Sequence, residues 1–293
     1  MKFSKIVVVP KMTMVQVDMN RYGLDETGLR SRYAADGKDA ASIFESHDRQ
    51  VKSIGLLRKR FPHAIYQREA FNQAVANEAD LIIAAGGDDH FKYISHYVKD
   101  APILGLNTDP ERSRGELLEN SVARALEKLD KDEFKIDDET RIRAEVVGRM
   151  PFFPSMSICA VGRSDPFGNF RYRIEFKNEC DEHKITSGLI IYTGNGVTDW
   201  TKGAGRYLES VETFNPTEIK IGWVVREPHD DYRLMSGTVH EGENLSIVCY
   251  KDDSRISADG ITEHIAHIGS GTRVRFGISP TPLRHVRIDK NAE

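Results

Sequence analysis

The sequence of 293 residues predicts an α/β domain followed by an all-β domain, with a change of pattern near residue 134. Before that point, short apolar runs of strand length alternate with stretches whose apolar residues recur at helical spacing. Because these runs are mostly apolar throughout, they favour a parallel sheet that is covered on both faces. After it, runs with period two are separated by turn residues, which favours two packed antiparallel sheets.

The elements of the first domain follow from the positions of its apolar residues. The clearest helix is expected at residues 39–60, because Ile43, Phe44, Val51, Ile54 and Leu57 fall close to one helical face. The predicted strands are residues 5–9, 64–67, 80–85 and 102–107, and the predicted helices are residues 39–60, 69–77, 90–98 and 118–129. A charged stretch at residues 128–139 is the expected junction, so the domains are placed at 1–134 and 135–293, allowing the last segment to return to the first domain.

The elements of the second domain follow from alternation of apolar and polar residues. Phe170, Tyr172, Ile174 and Phe176 take every other position of one run, as expected for a strand with one buried face. The predicted strands are residues 141–147, 170–176, 187–192, 218–225, 245–250 and 272–278.

Composition argues against several classes of function. The 41 Lys and Arg residues are balanced by 45 Asp and Glu residues, giving a net charge of −4 without a long basic block, so we expect no nucleic-acid partner. No apolar run approaches the roughly 20 residues of a membrane span, so we expect no membrane partner. Cys159, Cys180 and Cys249 are isolated and the histidines lack ligand spacing, so we expect no protein-held metal centre. The strand-like start leaves no room for a targeting peptide, and we expect a cytoplasmic protein.

The most distinctive local feature is the run Gly86, Gly87, Asp88 and Asp89 between a predicted strand and a predicted helix. Glycines there let the backbone approach a ligand, and a helix N-terminus offers N–H groups to an anion. Two carboxylates would repel phosphate unless they accept a hydroxyl proton or help to hold Mg²⁺. A structural turn with Asp89 as N-cap explains the residues about equally well. The carboxyl end of a strand in an open α/β sheet favours a site.

Two later segments also place polar residues after a strand. Residues 107–115 are rich in donors and acceptors, although an Asp-Pro turn alone would explain them. Residues 186–200 run from a strand into a Gly-Asn-Gly loop that could lie flat against a ligand, with an ordinary hairpin turn as the alternative. The motifs of dinucleotide dehydrogenases, P-loop NTPases, zinc peptidases and α/β-hydrolases are absent from the sequence.

These three segments, in this order, resemble the NAD kinase family. Its members share a GGDG motif after a strand, a following Asn-Thr segment and a T-x-T-G-S-x-A-[YW] loop in a β-rich second domain. The resemblance is strongest to the mitochondrial-type branch, in NTDPERS-x-G at residues 107–115 and SGLIIYTGNGVTDW at residues 187–200. Lys11-x-Thr13, the Arg21-Tyr22 pair and ISADG at residues 256–260 also fit. The match covers most of residues 4–206.

The resemblance implies an α/β N-terminal domain, a β-sandwich C-terminal domain and ATP-dependent phosphorylation of the 2′-hydroxyl of the adenosine ribose of NAD, giving NADP. It implies Asp88 as the catalytic carboxylate that orients or deprotonates this hydroxyl, with Mg²⁺, Lys11 and Arg112 at the phosphates. It also implies a homodimer or larger homo-oligomer. The implied substrate- and nucleotide-binding residues are Gly86, Gly87, Asp89, Asn107, Thr108, Ser157, Ser187, Thr193, Gly194, Asn195, Gly196, Thr198 and Trp200.

Several positions depart from the family pattern. Asp89 stands in place of the last glycine of GGDG, and His90 in place of the following threonine. Ser157 and Ile158 stand where the family has an Asn-Glu pair that grips the dinucleotide, and the loss of such buried polar contacts costs roughly 1–3 kcal/mol each. The other replacements are Val197 for serine and Asp199 for alanine.

These departures keep two alternatives open. A kinase of the same superfamily that phosphorylates another hydroxyl, in a nucleoside, sugar or lipid, would retain Asp88 and lose the Asn-Glu pair. A catalytically silent nucleotide-binding protein is the other alternative, with Asp89 and Ile158 blocking ordinary substrate placement. The sequence also leaves open NAD or NADH as substrate, ATP or polyphosphate as donor, and the number of subunits.

Overall fold

The computed structural model describes residues 2–149, 152–165, 168–204 and 211–288. The described residues fall into two compact units. The first contains the described parts of Met1–Ile94, Asp100–Ile136 and His285–Glu293. The second contains Ser95–Lys99 and the described parts of Asp137–Arg284.

The first part of the chain alternates strands and helices. Several helices begin at a side chain that accepts a hydrogen bond from the first turn, as Thr13, Asp25 and Asp39 do. The elements are β1 (Ile6–Pro10), α1 (Met14–Tyr22), α2 (Glu26–Ala35), α3 (Ala40–Arg60), α4 (Gln73–Asn77), β2 (Leu81–Gly86), α5 (Asp88–Ser95), β3 (Ile103–Asn107), α6 (Val122–Asp130) and β4 (Phe134–Glu139).

The rest of the chain is mainly β-structure. Its elements are β5 (Ile142–Val146), β6 (Ile158–Arg163), β7 (Phe170–Phe176), β8 (Glu179–Thr186), β9 (Gly188–Tyr192), α7 (Trp200–Ala204), β10 (Lys220–Arg226), β11 (Ser236–His240), β12 (Leu245–Cys249), β13 (Ser254–Ala258), β14 (Ile265–Ile268), β15 (Arg273–Ile278) and β16 (Leu283–Ile288).

One sheet has the strand order β1-β2-β3-β16-β4, and its pairs β1–β2, β2–β3 and β3–β16 are parallel. Every residue of β2 and β3 is buried, as the apolar runs predict for a sheet covered on both faces. On one face the strands pack with Leu57 of α3 and with Val122, Ala125 and Leu129 of α6. The predicted α/β domain with a parallel sheet is therefore confirmed.

The second unit is a β-sandwich. One sheet has the order β11-β10-β9-β6-β13-β14, and the other has the order β5-β15-β12-β7-β8. Their inner faces share a core in which Trp223 and Ile191 of the first sheet pack with Phe276 and Tyr172 of the second. Alternate positions of β5, β7 and β15 are buried, as the predicted period of two requires. The predicted all-β sandwich is therefore also confirmed.

The structure differs from the predicted elements mainly where backbone pairing with another segment prevails over the apolar pattern of the sequence. Residues 64–67 form only a bridge between Ile65 and Val8, and residues 69–77 divide into a short 3₁₀ turn and α4. The helix predicted at 118–129 begins only at Val122, because Glu119 bridges to Leu106 at the edge of β3. No helix among the described residues is long and apolar enough to cross a membrane.

Candidate functional site

A cavity of about 480 Å³ lies in the first unit, where β1, β2 and β3 end. Carboxyl ends of neighbouring parallel strands are the usual place for a ligand in an open α/β sheet. The lining residues come from these strand ends, from the helices α1 and α3, from the start of α5 and from the loop after β3. They are Lys11, Met14, Ser46, Gln50, Gly86, Gly87, Asp88, Asp89, Asn107, Thr108, Asp109, Arg112 and Ser113. Thus Lys11, Gly86, Gly87, Asp88, Asp89, Asn107, Thr108 and Arg112, all predicted from sequence, share one cavity.

The two glycines serve different purposes at this turn. A Cβ atom on Gly86 would come within 3.0 Å of the side chains of His90 and Lys11, so the packing admits only glycine there without displacement. A Cβ on Gly87 would meet only the Ser113 hydroxyl oxygen, at 3.9 Å. Gly87 therefore leaves the cavity open to a ligand, and its carbonyl accepts the N–H groups of His90 and Phe91 as α5 begins.

The Asp88 carboxylate has a fixed orientation. Its Oδ1 accepts a hydrogen bond from the N–H of Leu117 at 3.1 Å, and its Oδ2 accepts one from the N–H of Glu116 at 3.2 Å. The residue is half-buried and lines the cavity. Because each carboxylate oxygen has two lone pairs, acceptor capacity remains for a hydroxyl group in the cavity. Asp88 can therefore hold or receive the proton of an alcohol.

Asn107 organises the loop that follows β3. Its side-chain NH₂ donates to the carbonyl of Ser113 at 2.9 Å and to Oδ1 of Asn120 at 2.8 Å, while its Oδ1 accepts the N–H of Asp109 at 3.1 Å. Gly115 has a φ of +60°, and a Cβ there would stand 2.5 Å from Asn107 Nδ2. The loop is therefore folded around the buried Asn107 amide, which is used chiefly to shape the cavity wall.

Asp109 connects this loop to α3. Its buried carboxylate accepts hydrogen bonds from the Ser46 hydroxyl and from Arg49 Nε, the latter at 2.7 Å. These bonds hold the stretch of α3 that supplies Ser46 and Gln50 to the cavity. Sequence reasoning missed both residues, because a helix more than 50 positions earlier in the chain carries no local signal that it meets this loop.

The charges around the cavity suit a phosphate ligand only in part. Lys11 and Arg112 are exposed, line the cavity and have no ion pair among the described residues. Arg49 pairs with the Asp109 carboxylate, so the acidic groups that remain are Asp88 and Asp89. No group of three or more metal-ligating His, Cys, Asp or Glu residues occurs in the described parts of the chain.

His90 is buried directly behind the Gly86 turn. Nε2 lies 2.8 Å from the carbonyl oxygen of Val9, so it is assigned as the protonated nitrogen, while Nδ1 has no hydrogen-bond partner among the described residues. Burial, helped by the positive charges of Arg68 and Lys11, lowers the pKa of His90 to about 4 despite the bond to Val9. The imidazole is therefore neutral at pH 7.

This buried imidazole should make the protein acid-sensitive. The unfolded chain binds a proton near pH 6.5 and the folded one only near pH 4, so the contribution to stability is complete above pH 6.5 and is lost as the pH falls. Between pH 7 and pH 5 we expect the wild type to lose about 2 kcal/mol of unfolding free energy more than a His90→Gln variant. Urea unfolding of both proteins at the two pH values measures this difference, and equal losses would show that His90 does not titrate in this range.

In the second unit, a single carboxylate holds the backbone that carries Ser157. Asp259 accepts hydrogen bonds from the N–H groups of Met156 at 3.0 Å, Ser157 at 2.8 Å and Ile158 at 2.9 Å. Asp259 itself has a φ of 52° and lies at the end of β13, in the ISADG run recognised in the sequence. The late aspartate of that motif therefore fixes the entry to β6.

Asp259 is also the end of a buried chain of polar side chains. Its Oδ2 lies 2.7 Å from His96 Nε2, the Nδ1 atoms of His96 and His264 share a hydrogen bond, and His264 Nε2 lies 3.0 Å from the Tyr97 hydroxyl. The Phe153 ring stacks on His264 with the centroids 3.9 Å apart. Sequence reasoning gave these histidines no specific role, since the partners lie more than 160 residues apart.

The Gly-Asn-Gly loop packs against the same backbone. The Thr193 hydroxyl donates to the carbonyl of Met156 at 2.6 Å, and the N–H of Thr193 donates to the carbonyl of Ser157 at 2.9 Å. A Cβ on Gly196 would stand 2.2 Å from the Ser157 carbonyl oxygen, so this close approach needs glycine. The Asn195 side chain donates to the Glu139 carboxylate at 2.8 Å.

The four positions at which this part of the chain departs from the family pattern divide into two polar and two apolar side chains. The Ser157 hydroxyl donates to the Asp199 carboxylate at 3.1 Å. Ile158 is buried in an apolar cluster with Tyr192, and Val197 packs against that cluster. The two polar replacements are thus hydrogen-bonded to each other, and the two apolar ones share one apolar cluster.

The remaining predicted residues are placed less uniformly. Thr198 and Trp200 are exposed near the Gly-Asn-Gly loop, and the Arg226 guanidinium lies 5.3 Å from the centre of the Trp200 ring. Ser187 bonds to the Glu227 carboxylate at the opposite end of β9 from Thr193. The intervening strand separates the two by about 20 Å, so the structure does not group Ser187 with the Thr193 loop.

Comparisons with known proteins follow the motifs. No protein-family model matches the chain. Over 160 residues, which are 50% of this chain, it is 31% identical to the mitochondrial NAD kinase 2 of Rattus norvegicus, and it spans only 38% of that protein. It is 25% identical to a probable NADH kinase of Oryza sativa subsp. japonica over 82% of this chain and 80% of that protein.

The fold matches that of a solved relative along most of its length. An NAD kinase from Archaeoglobus fulgidus, solved in complex with ATP, superposes with a TM-score of 0.63 at 16% identity, covering 98% of this chain and 94% of that one. At this identity the match shows the fold alone. The curated relatives that the chain resembles are named as NAD and NADH kinases, in agreement with the resemblance of its motifs.

Proposed function

We propose that the protein is a kinase that transfers the γ-phosphoryl group of ATP to the 2′-hydroxyl on the adenosine ribose of NAD, giving NADP. The observation that carries the proposal is Asp88, an oriented carboxylate at a glycine-lined cavity where parallel strands end. The names of the relatives support the same chemistry. Retention of the motif carboxylate favours an active enzyme over a silent nucleotide-binding protein.

Phosphoryl transfer needs an aligned acceptor and neutralised phosphate charge more than covalent chemistry by the protein. In the proposed mechanism, the acceptor hydroxyl donates its hydrogen bond to Asp88, which takes the proton as the new P–O bond forms. The bond between the γ-phosphorus and the β–γ bridging oxygen of ATP breaks in the same step, and ADP leaves. The first turn of α5 offers backbone N–H groups to the phosphates, and Lys11 and Arg112 add positive charge at the same cavity. Gly87 leaves space for the reacting groups.

Mg²⁺ would enter this cavity bound to the phosphates of ATP, rather than being held by protein side chains alone. Mg²⁺ is usually bound through one or two carboxylates together with substrate phosphates. The exposed Asp89 carboxylate, which lines the cavity and has no ion pair among the described residues, suits that arrangement. When bound, the ion would neutralise charge on the β- and γ-phosphates.

The proposed dinucleotide contacts in the first unit are Asn107 and Thr108. In the second unit, Ser157, Thr193 and Thr198 stay predictions. The family's Asn-Glu pair grips the dinucleotide. We propose that the Ser157 hydroxyl and the Asp199 carboxylate together bind the dinucleotide in its place. Their mutual hydrogen bond supports this, since it fixes the positions of both side chains near the start of β6. A cytoplasmic location and a homodimer stay predictions. The relatives that are named as mitochondrial favour the mitochondrion as the alternative location.

The direct test is formation of NADP by the purified protein from ATP, Mg²⁺ and NAD, followed by an NADP-specific dehydrogenase. NADP production that depends on ATP supports the proposal, and parallel reactions with NADH define the preferred redox form. If no NADP forms while ATP is still consumed with another alcohol, the substrate assignment is wrong. A thermal-shift series with NAD, NADH, ATP and simple nucleosides identifies which ligand binds.

A further inference from the structure

A second cavity in the first unit shares only Lys11 with the lining of the cavity described above. Its volume is about 490 Å³, within the range of small-molecule sites. It lies among the segment after β1, one face of α1, the second half of α3 and the segment that bridges to β1. The lining residues are Pro10, Lys11, Met12, Gln16, Met19, Asn20, Val51, Ile54, Gly55, Arg58, Ile65, Tyr66, Gln67, Arg68 and Glu69.

The lining of this cavity combines apolar walls with positive charge. Met12 and Val51 remain 39% and 42% exposed, although they line a cavity with Ile54 and Ile65. Large apolar side chains that line a concave site without covering one another favour a ligand with an apolar or flat portion. Positive charge exceeds negative charge in the lining, because it contains three basic side chains and one carboxylate, that of Glu69. The basic residues are Lys11, Arg58 and Arg68. The complementary ligand therefore also carries negative charge.

Lys11 connects this cavity to the first one. It lines both cavities, and its backbone N–H is fixed by a hydrogen bond of 2.8 Å to the carbonyl of Ala85, next to Gly86. Neither its ammonium group nor the Arg58 guanidinium has an ion pair among the described residues. A ligand that places anionic groups at Lys11 can therefore extend an apolar portion toward Met12 and Ile65.

A nucleoside triphosphate has this combination of a flat base and a chain of anionic groups. We propose that the second cavity binds the nucleoside portion of the phosphoryl donor, while the phosphates of the same molecule pass Lys11 to reach Gly87 and Asp88. This inference rests on the proposed function and specifies it further. It makes ATP, rather than polyphosphate, the donor that the chain is built to hold, because polyphosphate has nothing to place in this cavity.

Gly55 allows the cavity to be filled without disturbing its walls. It lies within α3 and lines the cavity, and a Cβ added there would meet no atom within 4 Å. Replacing glycine inside a helix also removes a helix-destabilising residue. A Gly55→Phe variant should therefore fold as well as the wild type while its ring occupies the space proposed for the base.

The experiment compares donor kinetics of the wild type, Gly55→Phe and a control, Leu56→Phe. Leu56 is an exposed neighbour on the same helix and does not line the cavity. For Gly55→Phe we expect the KM for ATP to rise by about tenfold or more, with the KM for NAD and the kcat changed by less than about twofold. We expect the control to match the wild type, and any activity with polyphosphate to be the same in all three proteins.

The outcomes separate this inference from the proposed function. If the wild type makes NADP and Gly55→Phe keeps its KM for ATP, the second cavity does not hold the donor. If the wild type makes no NADP, the proposed function fails, and calorimetric titration with ATP then tests the cavity by itself. Weaker ATP binding by Gly55→Phe than by Leu56→Phe supports the inference, whereas equal binding, or no binding by the wild type, overturns it.

Discussion

Replacing Asp88 with asparagine is expected to lower the rate of NADP formation by roughly 10²–10⁴-fold, the usual contribution of a positioned acid or base. An asparagine amide has nearly the same shape as the carboxylate but cannot accept the proton of the ribose hydroxyl. Its single oxygen can still accept one of the hydrogen bonds that Asp88 receives from Glu116 and Leu117. Binding of ATP and NAD should therefore change little, which steady-state kinetics and calorimetry measure separately.

The neighbouring carboxylate provides the matched control for this variant. Asp89 lines the same cavity, but it is exposed and has no ion pair among the described residues. Asp89→Asn removes the same amount of charge and should raise the Mg²⁺ concentration needed for half-maximal rate, while most of the turnover is retained at saturating Mg²⁺. Full activity of Asp88→Asn would remove Asp88 from the mechanism. A similar collapse of both variants would indicate that charge at the cavity, rather than proton transfer, is what matters.

Replacing Asp259 with alanine is expected to cause the largest loss of stability. The change deprives three N–H groups, those of Met156, Ser157 and Ile158, of their acceptor and leaves His96 without its carboxylate. Breaking one member of a buried polar or charged pair costs about 3–5 kcal/mol. Because whole domains are stable by only about 5–15 kcal/mol, urea unfolding should show a large shift of the midpoint.

Asparagine at the same position separates the contributions to this effect. Asp259→Asn keeps one acceptor oxygen for the backbone and tolerates the φ of 52°, whereas alanine does neither. We expect the asparagine variant to unfold at a midpoint between those of the wild type and the alanine variant. A loss of less than about 1 kcal/mol in Asp259→Ala would mean that water or a rearranged loop satisfies the freed N–H groups.

The fold was predictable where burial is uniform along the chain. The strands β2 and β3 are apolar throughout and completely buried, and α3 carries an apolar stripe, so pattern and structure agree there. The helices α1 and α2 were not predicted, because few of their residues are buried. The capping box formed by Thr13 and Gln16 at the start of α1 was a readable signal that the apolar pattern did not use.

The candidate site was predictable only to the extent that it is local in sequence. Gly86, Gly87 and Asp88 follow one strand directly, so one motif describes them. The contact of Asp109 with Ser46, and that of Asp259 with His96, join residues 63 and 163 positions apart. No spacing rule connects such residues, because the distances between them are fixed by tertiary packing rather than by the geometry of one element.

The matched contacts of Ser157 with Asp199, and of Ile158 with the cluster that includes Val197, imply strong epistasis. Introducing the family's glutamate at position 158 alone would bury a carboxylate in an apolar cluster. Introducing its alanine at position 199 alone would remove the carboxylate that accepts the hydrogen bond of the Ser157 hydroxyl. We therefore expect joint exchange of the coupled positions to destabilise this loop less than either single substitution does.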